Sequence, residues 1–289
     1  FRRSRGLGDV YKRQVIGSVA LAADNGSINI SFSEPVFNTT SGSGALEVSD
    51  FALSLTGGTA TLTSATPTAI TQSGNTYTLS FSLSGTPDGS EVISVAPVGS
   101  SIFDFFGNDA LTSQAMGTNA LNDKLEPKIS SVVIAADNGS INISFSEPVF
   151  NTTSGSGALE VSDFALSLTG GTATLTSATP TAITQSGNTY TLSFSLSGTP
   201  DGSEVISVAP LANSIYDGSG NLASTAQSNG SGTLFDQTKP VISAINFSDD
   251  NSYLDVEFSV EVFSNSNGSG ALELTDFQLS FNQNNGTAT

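Results

Sequence analysis

The sequence predicts an all-β protein: antiparallel β-sandwich units in tandem, strung like beads. Three observations carry the prediction. Apolar residues alternate with Ser, Thr and Asn at a period of two, as in SINISF and TYTLSFSL, the pattern of strands with one buried face. Clusters such as DNG, SGSG, TGG, SGN and TPDG punctuate these runs, and such residues mark turns. The chain also repeats itself. Residues 22–97 and 135–210 are identical over 76 positions at an offset of 113, and a third, incomplete copy begins another 113 on. No stretch keeps a helical period.

The first fourteen residues stand apart. They hold Arg2, Arg3, Arg5, Lys12 and Arg13, five of the eight basic residues in the chain. A basic start followed by the apolar VIGSVALAA has the outline of a secretory leader. That apolar segment, however, recurs as KISSVVIAA before Asp137 and as VISAINFS before Asp249. A segment that recurs inside the chain is a strand of the repeat. The register breaks between Gln14 and Val15, and SRGLGDVYKRQ resembles a translated sequencing adapter. Residues 1–14 are therefore expected to be a non-native or disordered extension. The repeats are expected at 15–127 and 128–240, with a truncated third at 241–289.

Each repeat reads the same way along its length. The strand over 15–21 turns at Asp24-Asn25-Gly26, where Asn-Gly accommodates positive φ. Ile28, Ile30 and Phe32 then share one face, and Glu34 keeps their parity as the strand ends. In ALEVSDFALSL the parity slips between Leu46-Val48 and Phe51-Leu53-Leu55, which predicts a bulge or a break at Ser49-Asp50. Tyr77, Leu79, Phe81 and Leu83 line the next inward face. About seven short strands in 113 residues is the pattern of an immunoglobulin-like sandwich. Nearly every Phe, Leu and Ile falls on core parity.

Composition narrows function. Beyond residue 14 the chain carries 3 basic and 25 acidic residues, a surface that repels nucleic acid and anionic lipid and attracts cations. It contains no His, Cys or Trp. Ser-His-Asp and Cys-His nucleophile systems are thereby excluded, and zinc loses its usual ligands. Carboxylate pairs of the glycosidase kind remain, but the same carboxylates recur in each repeat, which suits structure better than a single active site. No P-loop or dinucleotide fingerprint is present, and no apolar run reaches the ~20 residues of a membrane span. The expectation is that the chain is not an enzyme.

FSEPV (Phe32–Val36, Phe145–Val149), SDF (Ser49–Phe51, Ser162–Phe164), the turn D-x-x-G-N (Asp104–Asn108, Asp217–Asn221) and the linker D-x-x-x-P (Asp123–Pro127, Asp236–Pro240) recur in fixed order. In that combination each repeat resembles the bacterial Ig-like repeats of surface-layer and adhesin proteins, the SbsA-type and cadherin-like modules. The third repeat departs from the pattern, with Val260-Glu261 where the others have Glu-Pro. The resemblance implies a repeated spacer in a large secreted or cell-surface bacterial protein that supports adhesion. It implies neighbouring repeats as partners, and sometimes calcium between modules.

An Ig-like topology places the end of the Glu34 strand and the loop before the last strand at one pole. Glu147, Asp217 and Asn221 would then converge at the top of the second repeat, where the linker bearing Asp123 and Glu126 arrives. Several oxygen ligands at one junction suit Ca²⁺, which takes six to eight. The equivalent candidates are Glu34, Asp104 and Asn108 in the first repeat, and Asp236 in the next linker. The competing reading is that Asp and Asn in turns bond their own backbone. The alternative function is a carbohydrate- or protein-binding module gripping a surface glycan or protein through loops such as Phe37–Gly44.

Overall fold

The computed structural model describes residues 14–114 and 117–280; the expected extension at 1–13 lies outside them. Among the described residues there is no α-helix, only three single-turn 3-10 helices, at Val48–Asp50, Val161–Asp163 and Leu274–Asp276. The first repeat contains β1 (Ile16–Leu21), β2 (Ser27–Phe32), β3 (Phe51–Thr56), β4 (Thr61–Leu62), β5 (Ala69–Ser73), β6 (Thr76–Ser80), β7 (Leu83–Ser84), β8 (Val92–Pro97) and β9 (Thr118–Ala120). They form antiparallel sheets in the orders β1-β2-β6-β5, β3-β8-β9 and β4-β7.

The second repeat follows the same plan with β10 (Ile129–Ile134), β11 (Ser140–Phe145), β12 (Val149–Phe150), β13 (Phe164–Thr169), β14 (Thr174–Leu175), β15 (Ala182–Ser186), β16 (Thr189–Ser193), β17 (Leu196–Ser197), β18 (Val205–Pro210), β19 (Tyr216–Asp217) and β20 (Ser231–Thr233). Its sheets are β10-β11-β16-β15, β13-β18-β20, β14-β17 and β12-β19. The third repeat contributes the paired strands β21 (Ile242–Phe247) and β22 (Leu254–Phe258).

The period-two pattern explains the core. Register pairs Ile28 with Leu79 and Ile30 with Tyr77 across β2 and β6. The larger sheet and the β3-β8 sheet give their apolar faces to one cluster that includes Ile30, Phe32, Phe51, Leu53, Tyr77 and Ile93. Phe32 meets Tyr77 edge-on at 5.9 Å and Phe51 at 6.4 Å, geometries that favour the ring quadrupoles. The second repeat builds a separate cluster from the equivalent residues.

The parity slip at Ser49-Asp50 is a break in the strand. The Val48–Asp50 turn intervenes, closed by the Asp50 carboxylate accepting the Glu47 amide at 2.7 Å. A true bulge falls instead in β1, where pairing with β2 shifts between Ile16 and Ser18.

At DNG only the Asn has positive φ: 60° at Asn25 and 55° at Asn138. These side chains do more than turn the chain. The Asn138 amide donates to the Phe235 carbonyl at 2.7 Å and accepts from the Phe235 amide at 2.9 Å, 97 residues away. Asn25 does the same to the backbone of Asn122. Each hairpin is thus latched to the last segment of its repeat. Asn138→Ala removes two largely buried bonds and places Ala in a left-handed conformation. It is expected to cost about 2–3 kcal/mol, measured by urea denaturation.

Candidate metal centre at the repeat junction

The pole between the first two repeats is built by short-range pairing. After β11 the chain passes Glu147-Pro148 and pairs β12 with β19, Val149 opposite Asp217 and Phe150 opposite Tyr216. This brings the end of the Glu147 strand beside the entrance to the D-x-x-G-N turn. In that turn Asp217 Oδ1 accepts the amides of Ser219 and Asn221, both at 2.8 Å, and Oδ2 accepts the Asn221 side-chain amide at 2.7 Å. Asn221 Nδ2 also reaches the Asp123 carbonyl at 3.2 Å, tying the turn to the incoming linker.

The result is a cluster of carboxylates from three segments. Asp123, Glu147 and Asp217 each offer an oxygen, and these atoms lie within 4.8 Å of one another. Asp217 is buried and the other two are half-buried. The electrostatic consequence is concentrated on Glu147. Burial, then Asp217, Asp123 and Asp88, push its carboxyl up to about 7. Asp123 is also raised, by burial first and by Asp217 and Asp88, against the opposing amide of Leu125. Proton uptake or a bound cation relieves the same repulsion. All the donors are oxygen, which suits a hard divalent ion, and three carboxylates with water can complete a calcium shell.

The candidates fall into three groups. Asp123, Glu147 and Asp217 come together. Asn221 orients the turn through its side-chain nitrogen. Asp104 and Asn108 repeat the turn in the first repeat, Asp104 accepting the Phe106 and Asn108 amides and the Asn108 side chain. Burial opposes ionisation of Asp104, but these bonds to Asn108 and Phe106, with one from Gln14, hold its carboxyl below the ordinary value. Ordinary turn chemistry thus occupies the D-x-x-G-N motif itself. Glu34 accepts a bond from Gln14 Nε2 at 3.2 Å, where Gln14 holds the place of Pro127. Glu126 is exposed and outside the carboxylate cluster. Asp236 is exposed and accepts the Thr238 amide of its own linker at 2.7 Å.

Three features escaped sequence reasoning. Asp88, in the TPDG turn, adds its charge to the junction. Glu91 and Glu204 are fully buried, accepting backbone amides from two loops. The aromatics are also not uniformly core: Phe105, Phe106 and Phe235 are exposed. The signal for Glu204 was in view, an acid opening the apolar run EVISVAP opposite a Gly-Gly pair.

The loop named as a possible ligand grip, Phe37–Gly44, closes on itself. Thr39, Ser41 and Ser43 bond one another through their hydroxyls. No helix among the described residues is long and apolar enough to cross a membrane.

No protein-family model matches the chain, and no curated protein matches it. Among solved structures, the N-terminal part of the bacterial S-layer protein SbsC matches with 17% identity and a TM-score of 0.28, over 71% of this chain and 42% of that one. The chain thus spans less than half the length of that structure.

Proposed function

We propose that the chain is a spacer: tandem Ig-like sandwiches of a secreted or cell-surface bacterial protein, supporting adhesion and stiffened by calcium at the repeat junction. The observation that carries this reading is the seam at Asp123, Glu147 and Asp217, where carboxylates from the linker and the second repeat crowd within 4.8 Å. The repeats keep separate cores, so the relative placement of neighbours depends on the linker and on what it bonds. A cation held by the linker and by the following repeat fixes that placement; without it the three charges repel. The lack of His and Cys and the self-bonded Thr39–Ser43 loop favour a structural role over catalysis or ligand capture.

Calorimetric titration of the whole chain with calcium tests this. One ion per chain is expected at this junction, with binding lost in Asp123→Asn. Glu34→Gln, at the pole of the first repeat, is expected to bind as the parent does. Binding that survives Asp123→Asn, or no binding at all, would remove the cation from the account.

A further inference from the structure

We propose that copies of this chain associate head to tail, the Phe105–Phe106 turn of one copy packing against the Phe235 pole of another. The argument begins with how nearly identical repeats differ. At the internal junction, Ser219 of the second repeat lines one depression with Asn122, Gly89 and Asp123 of the first. Both sides of that contact are small or polar. The same two positions change at the outward-facing ends. Gly218-Ser219 is replaced in the first repeat by Phe105-Phe106, and Asn122 is replaced in the second by Phe235.

All three rings are exposed: Phe105 by 66%, Phe106 by 76% and Phe235 by 49%, the last with the third repeat's hairpin in place. Phe105 and Phe106 pack edge-on at 5.6 Å, and Phe37 extends the row at 6.4 Å from Phe105. An aromatic row on a chain with net charge −18 is a contact surface out of keeping with its surroundings. The positions that face each other across the internal junction have turned aromatic at the two ends left without such a partner. A second copy of the chain supplies the matching face. The contact joins two different surfaces, so it propagates instead of closing on a two-fold axis. The row is distinct from the carboxylate seam and does not depend on calcium.

The sister repeat supplies the test variants. Phe105→Gly with Phe106→Ser gives the first repeat the turn sequence of the second, and Phe235→Asn gives the second repeat the residue of the first. Neither asks the fold for anything its twin lacks, and melting curves check that both stay folded. Sedimentation of the parent chain is expected to show mass rising with concentration. Each variant alone is expected to associate about tenfold more weakly or worse. Mixed together, the two variants are expected to form a one-to-one dimer and stop there, since each retains the face that the other lost. A parent chain that stays monomeric would overturn the proposal. So would variants that associate as the parent does, which would point to the exposed apolar residues of the third repeat, or a mixture that gains no dimer.

Discussion

Glu204→Ala is expected to destabilise the second repeat by about 3–5 kcal/mol, because it strands buried amides without an acceptor. Glu204 is fully buried. Its Oε1 accepts the amides of Thr172 and Ala173, both at 3.0 Å, and its Oε2 accepts that of Asp201 at 3.0 Å. The carboxylate therefore pins the Gly170-Gly171 turn to the loop preceding β18. The turn has no alternative: Gly171 has φ 56°, and a Cβ there would lie 2.1 Å from Glu204 Oε1.

Burial opposes ionisation of Glu204, but the amides of Ala173, Asp201 and Thr172 outweigh it, and the carboxyl lies below its ordinary value. A depressed folded value means the contribution is complete above the unfolded value near ~4.3 and is lost as pH falls through the folded value. Acid unfolding should therefore be steepest in that low range. Glu204→Gln keeps one oxygen acceptor but turns a donor toward an amide, and should cost about 1–2 kcal/mol. Urea unfolding curves are expected to move the second repeat's transition and leave the first where Glu91 holds it.

Glu147 is expected to produce the opposite pH dependence. Its carboxyl is raised from 4.5 to about 7, by burial first and then by Asp217, Asp123 and Asp88. The folded protein therefore holds a proton there that the unfolded chain has released. In chelator, stability from this group is greatest below about 4.5, declines as pH rises to about 7, and is flat above. After allowance for solvent screening of a half-exposed group, the decline is about 1–2 kcal/mol.

Glu147→Gln should remove that decline, making the variant more stable than the parent in chelator above neutrality. The same substitution removes a charged ligand, so it should also abolish stabilisation by calcium. The calcium effect in the parent should grow as pH rises through 7, since the ion competes with the proton. A simple turn or packing role for Glu147 would not link these two signs.

The strands and their inward faces were legible because period two is written directly in SINISF and TYTLSF. Each buried position, from Ile28 to Leu79, has polar neighbours that fix its side. The convergence of Asp123, Glu147 and Asp217 was also legible, because strand end, last turn and linker meet at one pole in that topology. Glu126 did not join them; it is exposed, while Pro127 beside it is buried. What the sequence hid were contacts set by long separation. Asn138 looks like a turn residue, and nothing local shows that its amide meets Phe235 97 residues on. Glu204 looks like a surface acid until the Gly170-Gly171 turn folds over it. The exposure of Phe105 and Phe106 was hidden for a different reason: they sit in a turn, where parity assigns no side.

The most direct test of the account is thermal melting of the whole chain in mildly alkaline buffer, once with excess calcium and once with chelator, for the parent and for Glu147→Gln. A ligand that binds only the folded state must raise its melting temperature. The account predicts a rise of several degrees for the parent, none for Glu147→Gln, and a chelated variant that melts above the chelated parent. Superimposable parent curves would contradict it, leaving the junction carboxylates as mutually repelling charges and the chain a spacer without a metal.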